Sequence, residues 1–565
     1  MILAPATFEN KRPLLPCLVL LWLSVVSAAN VCAQKDSKEK SSQGQQAKAD
    51  FLRQMQFEAV DRKSAAWIHW GDSKREFSNW TQHSNRLIPI YTFGISLKKY
   101  RGKESAYRSK KKIEEIYGVV PEGTYNRDAR YLDQTDIYRL QQDAVAAGKK
   151  NIILFVCDGM DWNTTQAASI YKNQKITYTR GQGRGLTFLD FKAPQSTYGY
   201  MVTSPFAKSA KFDVNSQLVE SVTDPSGGYS PVLGGKTPWS DPGDPGYLLG
   251  KSASKGHSYT DSAASATSMT TGKKTFNGSI NVGPDGEQLT TITHQLQKDG
   301  FAIGVVSSVP FCHATPAATY AHNVNRSDYQ DISRDLLGLR SAAHRKKALS
   351  GVDVLIGGGW GEEKKDDTKK QGNNFVPGNT YLAQADLEEI DVDNGGKYFV
   401  VQRHKGESGA QLLADAALLA ATDGNRLFGF FGGKGGHLPF QTADGGYDPT
   451  RGIDRADRYS KADVKENPTL GNMATAALEV LESRKKSGAK KGMWLLVESG
   501  DIDWANHNNN IDDAIGSVLS ADEAFREIIA WVEKHSNWDE TALILTADHG
   551  HMMVLDKLDS LIRKK

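Results

Sequence analysis

The segment Glu498-Ser499-Gly500-Asp501-Ile502-Asp503-Trp504-Ala505-Asn506-His507 places three groups able to bind a metal directly behind an apolar run, Met493 to Val497. A helix beginning near Ile502 puts Asp503 and His507 four residues apart on one face, with Glu498 left on the strand end behind them. That geometry could serve two metal ions. The plain alternative is a strand-to-helix turn in which Asp503 caps the helix and His507 is merely exposed.

Four further stretches share the pattern of polar chemistry at the end of an apolar run. In Cys157-Asp158-Gly159-Met160 an acid leaves a buried strand and glycine permits a tight turn. Thr260-Asp261-Ser262-Ala263-Ala264-Ser265-Ala266-Thr267 has small residues that let a helix start pack closely, and the Ser262 hydroxyl lies near exposed amides that favour anions. The third stretch runs from His313-Ala314-Thr315-Pro316 to His322-Asn323-Val324-Asn325-Arg326. The fourth is Thr546-Ala547-Asp548-His549-Gly550-His551, whose adjacent acid and imidazole suit a zinc ion.

The elements that must position these groups are apolar runs separated by helical patterns. Asn151 to Val156, Phe301 to Val309, Val352 to Ile356, Leu427 to Phe431, Met493 to Val497 and Thr541 to Thr546 read as strands buried on both faces. Helices are expected at Thr135 to Ala147, Leu470 to Leu481 and Asp512 to Lys534. Strands alternating with helices define an α/β fold with a mainly parallel central sheet flanked by helices, whose sites lie at the carboxyl ends of strands. Residues 223–250 and 359–396 are polar or rich in Gly and Pro and read as surface insertions. The triplet Gly357-Gly358-Gly359 lacks the spacing of a phosphate-binding loop and reads as a turn.

The chain of 565 residues, 39% hydrophobic and 24% charged, can bury a large core, and its net charge of +3 does not point to nucleic acid as a partner. Lys11 and Arg12, the apolar stretch Leu14 to Val26 and the small residues Ser27-Ala28-Ala29 form an export signal, taken as residues 1–33. The expectation is therefore a periplasmic or extracellular protein with no membrane span in the mature chain. A polar linker follows at 34–50, and residues 51–150, with Trp67, Trp70, Trp80, Tyr91 and Phe93, read as an N-terminal accessory region of unknown role. Cys157 and Cys312 are the only cysteines beyond Cys32 and read as buried thiols, with a single bridge as the alternative.

Together the motifs resemble those of the alkaline phosphatases, metal-dependent phosphomonoesterases. Asp-Ser-Ala-Ala-Ser-Ala-Thr at 261–267, Ala-Thr-Pro-Ala-Ala at 314–318, Glu-x4-Asp-x3-His from Glu498 and Thr-Ala-Asp-His at 546–549 occur in the family's order, and the resemblance covers roughly 151–565. It implies hydrolysis of small phosphate monoesters through a covalent phosphoserine, at a site with two zinc ions and one magnesium ion. By position, Ser262 resembles the nucleophile and Arg326 the phosphate clamp, whose planar fork matches two phosphate oxygens. Asp158, Asp548 and His549 resemble the ligands of one zinc. Asp158 also resembles the carboxylate that bridges to magnesium, and Thr315 and Glu498 resemble the remaining ligands of that ion. Asp503 and His507 resemble ligands of the other zinc, and His551 a histidine that supports the ligands from behind. A homodimer is the assembly that the resemblance leaves open.

The sequence departs from the family in three places. His313 and Trp504 stand where some members carry Asp and Lys beside the magnesium. Cys157 and Asp161 flank Asp158-Gly159-Met160 where glycines are usual, and Asp161 reads as a solvated acid. A third zinc-binding histidine is expected from a segment well beyond the Asp548-His549 pair, yet no histidine follows His551. Either the chain stops short of it, or another residue or water takes the place, or this zinc is weakly held; His437 is the substitute considered. These departures leave a related phosphodiesterase or sulfatase, or a catalytically impaired metal- or phosphate-binding protein, as alternatives.

Overall fold

Residues 152–156 are all buried, as a continuous apolar run must be when helices cover both faces of its sheet. In the computed structural model, which describes residues 50–563 apart from 75–76, 78–81, 253–255 and 454–457, this run is one strand of a ten-stranded sheet. The expected export signal, nearly all of the linker, and Cys17, Cys32 and Trp80 lie outside the described residues.

The strands are β1 (Ile88–Phe93), β2 (Leu132–Asp133), β3 (Asn151–Cys157), β4 (Thr197–Val202), β5 (Phe301–Pro310), β6 (Val354–Gly358), β7 (Tyr398–Gln402), β8 (Arg426–Phe430), β9 (Gly492–Ser499) and β10 (Thr541–Thr546), in the order β7-β8-β6-β5-β9-β3-β10-β1-β4-β2. From β7 to β10 every neighbouring pair is parallel, whereas β1 runs antiparallel to both β10 and β4. The expected α/β architecture with a mainly parallel sheet is therefore observed.

Register decides where the chemistry falls. Val156 on β3 faces Glu498 on β9 and Thr546 on β10, so the acids that follow these strands emerge along one edge of the sheet. Because β1 is antiparallel to β10, with Ile90 opposite Thr546, the residues that precede β1 reach that same edge. Ser84 N–H donates to Gly550 O at 2.7 Å, and Ile68–Trp70 pairs antiparallel with Met553–Leu555.

Residues 51–150, read from the sequence as an accessory region, thus contribute β1 and β2 to the central sheet, and the described residues form one compact unit. The helix expected from Thr135 is Asp136–Ala146, but Thr135 makes no side-chain cap; its own N–H and hydroxyl both donate to Asp133 at 2.8 Å. The other two expected helices are Leu470–Lys486 and Ile511–His535. Within the expected insertions lie short elements, including a small antiparallel pair at Glu363–Lys364 and Gly378–Asn379.

Candidate metal centre

Ser262 is the first residue of α1 (Ser262–Thr271), whose N-cap Asp261 accepts the Ala264 N–H at 3.0 Å. The cap satisfies one amide of the first turn and fixes Ser262 at the positive end of the helix. Its hydroxyl is buried, 3.4 Å from Asp158 Oδ2 and 3.3 Å from His549 Nε2. That same nitrogen lies 3.3 Å from Asp158 Oδ1 and 3.4 Å from Asp548 Oδ2. Ligands on a tetrahedron with bonds of about 2.0–2.1 Å sit roughly 3.3 Å apart, so these groups are spaced as they would be around one shared ion.

A second focus lies beside the first. Helix α2 (Asp501–His507) begins one residue earlier than expected and presents Asp503 and His507 on one face, with His507 Nε2 3.5 Å from Asp503 Oδ1. The third member is His83, a residue not singled out in the sequence. Its Nε2 lies 2.9 Å from His507 Nε2 and 3.6 Å from Asp503 Oδ1. His83 Nδ1 faces the Thr260 carbonyl at 3.0 Å, which favours the tautomer whose lone pair is on Nε2, toward His507 and Asp503. Burial pushes its pKa down to about 4, so the ring is neutral and competent to bind a metal near neutral pH. His551 Nε2 donates to Asp503 Oδ1 at 2.7 Å and orients that carboxylate, the supporting position implied by the resemblance.

The acids show why this edge calls for cations. Asp158 and Asp548 are both raised, Asp158 well above the usual carboxylate range, first by burial and, for Asp158, then by the negative charges of Asp548, Asp503 and Glu498. Asp503 is also buried, but His507 and His551 hold it well below that range. Glu498, against the Ser307 and Thr315 hydroxyls, is pushed up to about 8 by burial. Asp158 Oδ1, Asp548 Oδ2 and Thr315 Oγ1 are buried without a hydrogen-bond partner. Oxygen and imidazole donors left unpaired among crowded carboxylates fit divalent cations.

The remaining sequence candidates surround this core. Arg326 Nη1 donates to Asp261 Oδ2 at 3.0 Å, which holds the guanidinium beside the Ser262 turn. The His313 ring stacks on Tyr329 with centroids 5.3 Å apart and lies 5.7 Å from Trp504, and burial with the charge of Arg326 pushes its pKa down to about 3. His437 does not join the Asp503 cluster: it stacks on Phe440 at 4.2 Å and packs edge-on against Trp504 at 4.9 Å. Asp161 is fully buried rather than solvated, because it caps the helix Trp162–Asn173 through Thr164 N–H at 2.9 Å and accepts Met553 N–H at 3.0 Å. Cys157 and Cys312 are buried free thiols.

His83 escaped the sequence because its partners lie at the other end of the chain. The available signal was a histidine shortly before the apolar run Leu87 to Phe93, but Pro89 in that run argues against a central strand. The strand tolerates Pro89 near its start, where the Pro89 carbonyl accepts the Thr546 hydroxyl at 2.8 Å.

A mainly parallel sheet carrying a buried serine and two foci of carboxylate and imidazole at one edge defines an α/β fold with a site suited to divalent cations. The sequence profile described as "Alkaline phosphatase" matches residues 247–560, more than half of the chain, and the chain belongs to the alkaline phosphatase family. Among relatives, alkaline phosphatase 4 of Bacillus subtilis is 26% identical over 308 residues, covering 54% of this chain and 50% of its own length. Alkaline phosphatase of Escherichia coli is 29% identical over 324 residues, covering 54% and 61%. The chain thus spans about half to three-fifths of these relatives. The crystal structure of Thermus thermophilus alkaline phosphatase aligns with 71% of this chain and 60% of its own, at 22% identity and a TM-score of 0.41.

Proposed function

We propose that the chain hydrolyses phosphate monoesters through a phosphoserine formed on Ser262. The observation that carries this reading is the Ser262 hydroxyl itself, buried at a helix N-terminus and 3.3–3.4 Å from two residues of the first metal focus. Asp158, Asp548 and His549 would hold one zinc, Asp503, His507 and His83 the other, and Asp158, Thr315 and Glu498 a magnesium. When bound, these cations supply charge that lowers the pKa of the attacking hydroxyl and offsets the charge on the phosphoryl oxygens.

The chain's own residues supply position. Arg326, braced by Asp261, grips two phosphoryl oxygens and holds phosphorus in front of Ser262 Oγ. The oxygen of Ser262 forms a bond to phosphorus as the bond to the ester oxygen breaks, and the alcohol leaves. The serine hydroxyl is placed to pass its proton to Asp158 Oδ2, a carboxylate acceptor at 3.4 Å. Water then displaces Ser262 from the opposite side and releases phosphate.

His83 Nε2, 2.9 Å from His507 Nε2 and 3.6 Å from Asp503 Oδ1, supports a third ligand for the second zinc and weighs against an impaired protein. Export remains a proposal from the N-terminal sequence pattern; among the described residues no helix is long and apolar enough to cross a membrane. Assays on a phosphate monoester, a diester and a sulfate ester test the reaction class, with the monoester expected to turn over fastest. Ser262→Ala is expected to abolish acid-stable labelling by radioactive phosphate; label retained by that variant would overturn the assignment.

A further inference from the structure

Away from the sheet edge, a second type of site is built from three residues of one stretch of chain. His322 ends the segment that follows the short helix Ala314–Ala317, Asp335 lies on the helix Tyr329–Leu337, and His344 sits in the turn beyond it. One potential ligand atom from each lies within 4.8 Å of those from the other two. Asp335 is fully buried, and its carboxylate is fixed by the Ser341 hydroxyl at 2.6 Å and the His322 backbone N–H at 3.0 Å. His344 Nδ1 lies nearly midway between the two carboxylate oxygens, at 3.0 and 3.1 Å.

The decisive group is the His322 ring. It is only 6% exposed, and its Nε2 faces the Leu289 carbonyl at 2.9 Å, an acceptor that places the ring proton on that nitrogen. Nδ1 is then a lone pair, and it is buried without any hydrogen-bond partner. Nδ1 is also the ring nitrogen nearer the main chain, and the main-chain N–H of the same residue donates to Asp335 at 3.0 Å. A histidine whose far nitrogen is held by a carbonyl while its near nitrogen is bare has the arrangement of a metal-binding imidazole. Were the site only a hydrogen-bonded core, this nitrogen would be a buried polar atom left unsatisfied.

We infer that His322 Nδ1, the Asp335 carboxylate and the His344 imidazole form a further binding site for a zinc-type divalent cation, with water completing the coordination. Two imidazoles and one carboxylate select zinc or cobalt over magnesium or calcium, which prefer all-oxygen sites. The His344 side chain is 12% exposed, which gives an ion a route in from solvent. Burial keeps His322 neutral, with its pKa lowered to about 4. The ion would tie the turn bearing His344 to the segment His322–Arg326 and so steady the arginine without touching the substrate.

The test counts metal on the full chain. Wild type and His344→Ala are stripped with chelator, reloaded with zinc, freed of excess and measured by elemental analysis; the variant is expected to hold one equivalent fewer per chain and to lose a zinc-dependent rise in Tm. Equal metal content in the two proteins overturns the inference. His344→Cys loaded with cobalt supplies an independent readout, because a thiolate bonded to cobalt gives a charge-transfer band that wild type lacks. Should His344→Ala not fold, that band decides alone: its presence supports the site and its absence refutes it.

Discussion

Replacing His83 by alanine removes one of the three groups that converge on the second metal focus and leaves Asp503 and His507 as the other two. In the intact protein His83 Nε2 stands 2.9 Å from His507 Nε2 and 3.6 Å from Asp503 Oδ1, while Thr260 O holds the other ring nitrogen at 3.0 Å. Loss of a group that merely orients a ligand costs about 10–100-fold in metal affinity, so loss of a ligand should cost at least about 100-fold, or roughly 2.8 kcal/mol. The assay is a competition titration of the stripped protein against a chromophoric zinc chelator, paired with initial rates on a phosphate monoester at buffered zinc. The variant is expected to lose zinc affinity and, at limiting zinc, turnover in the same proportion, with partial recovery at high zinc. His437→Ala, which removes a ring packed on Phe440 and Trp504, should leave zinc affinity unchanged. Zinc affinity and rates for His83→Ala within about twofold of wild type would refute the assignment, the limit set by ordinary variation near 0.4 kcal/mol.

Arg326→Lys keeps the charge but loses the planar fork braced by Asp261, so kcat/KM for the monoester should fall by about 10- to 100-fold, measured by steady-state kinetics. Gly159→Ala should destabilise the fold by roughly 1–3 kcal/mol and weaken metal binding, because a Cβ at its φ of +69° would lie 2.8 Å from His551 Nε2 and 2.9 Å from Asp503 Cα; chemical denaturation checks it. His257 is buried against Tyr247 and its pKa is pushed down to about 3, below the 6.5 of an exposed histidine. Between those values the unfolded chain binds the extra proton, so this group's stabilising share is complete above pH 6.5 and is lost as pH falls toward 3. His257→Gln should therefore show a smaller drop in stability between pH 7 and pH 5 than wild type, by about 1–2 kcal/mol in denaturation curves.

What the sequence revealed follows from how each element is buried. The parallel strands were legible because strands covered on both faces must be apolar without interruption, as from Ile152 to Val156. The acids and imidazoles at their ends were legible because such strands can turn polar only where they leave the sheet. β1 was hidden by Pro89 and by its antiparallel direction, which leaves no strand-helix-strand rhythm to read. His83 was hidden for a deeper reason. Its role depends on Ser84 pairing with Gly550, a contact between remote parts of the chain that no local spacing can encode. Asp161 was misjudged because its partner, the Met553 amide, is equally distant.

The pairing of Ile68–Trp70 with Met553–Leu555 also bears on how the protein matures. Asp548, His549 and the residues that draw His83 into place are made some 460 residues after His83 itself, and contacts of such long range form late. Neither metal focus can be assembled on a growing chain. Loading of metal is thereby deferred until the segment 541–555 has been made, and a chain broken off before it would be left as an unmetallated cluster of mutually repelling acids.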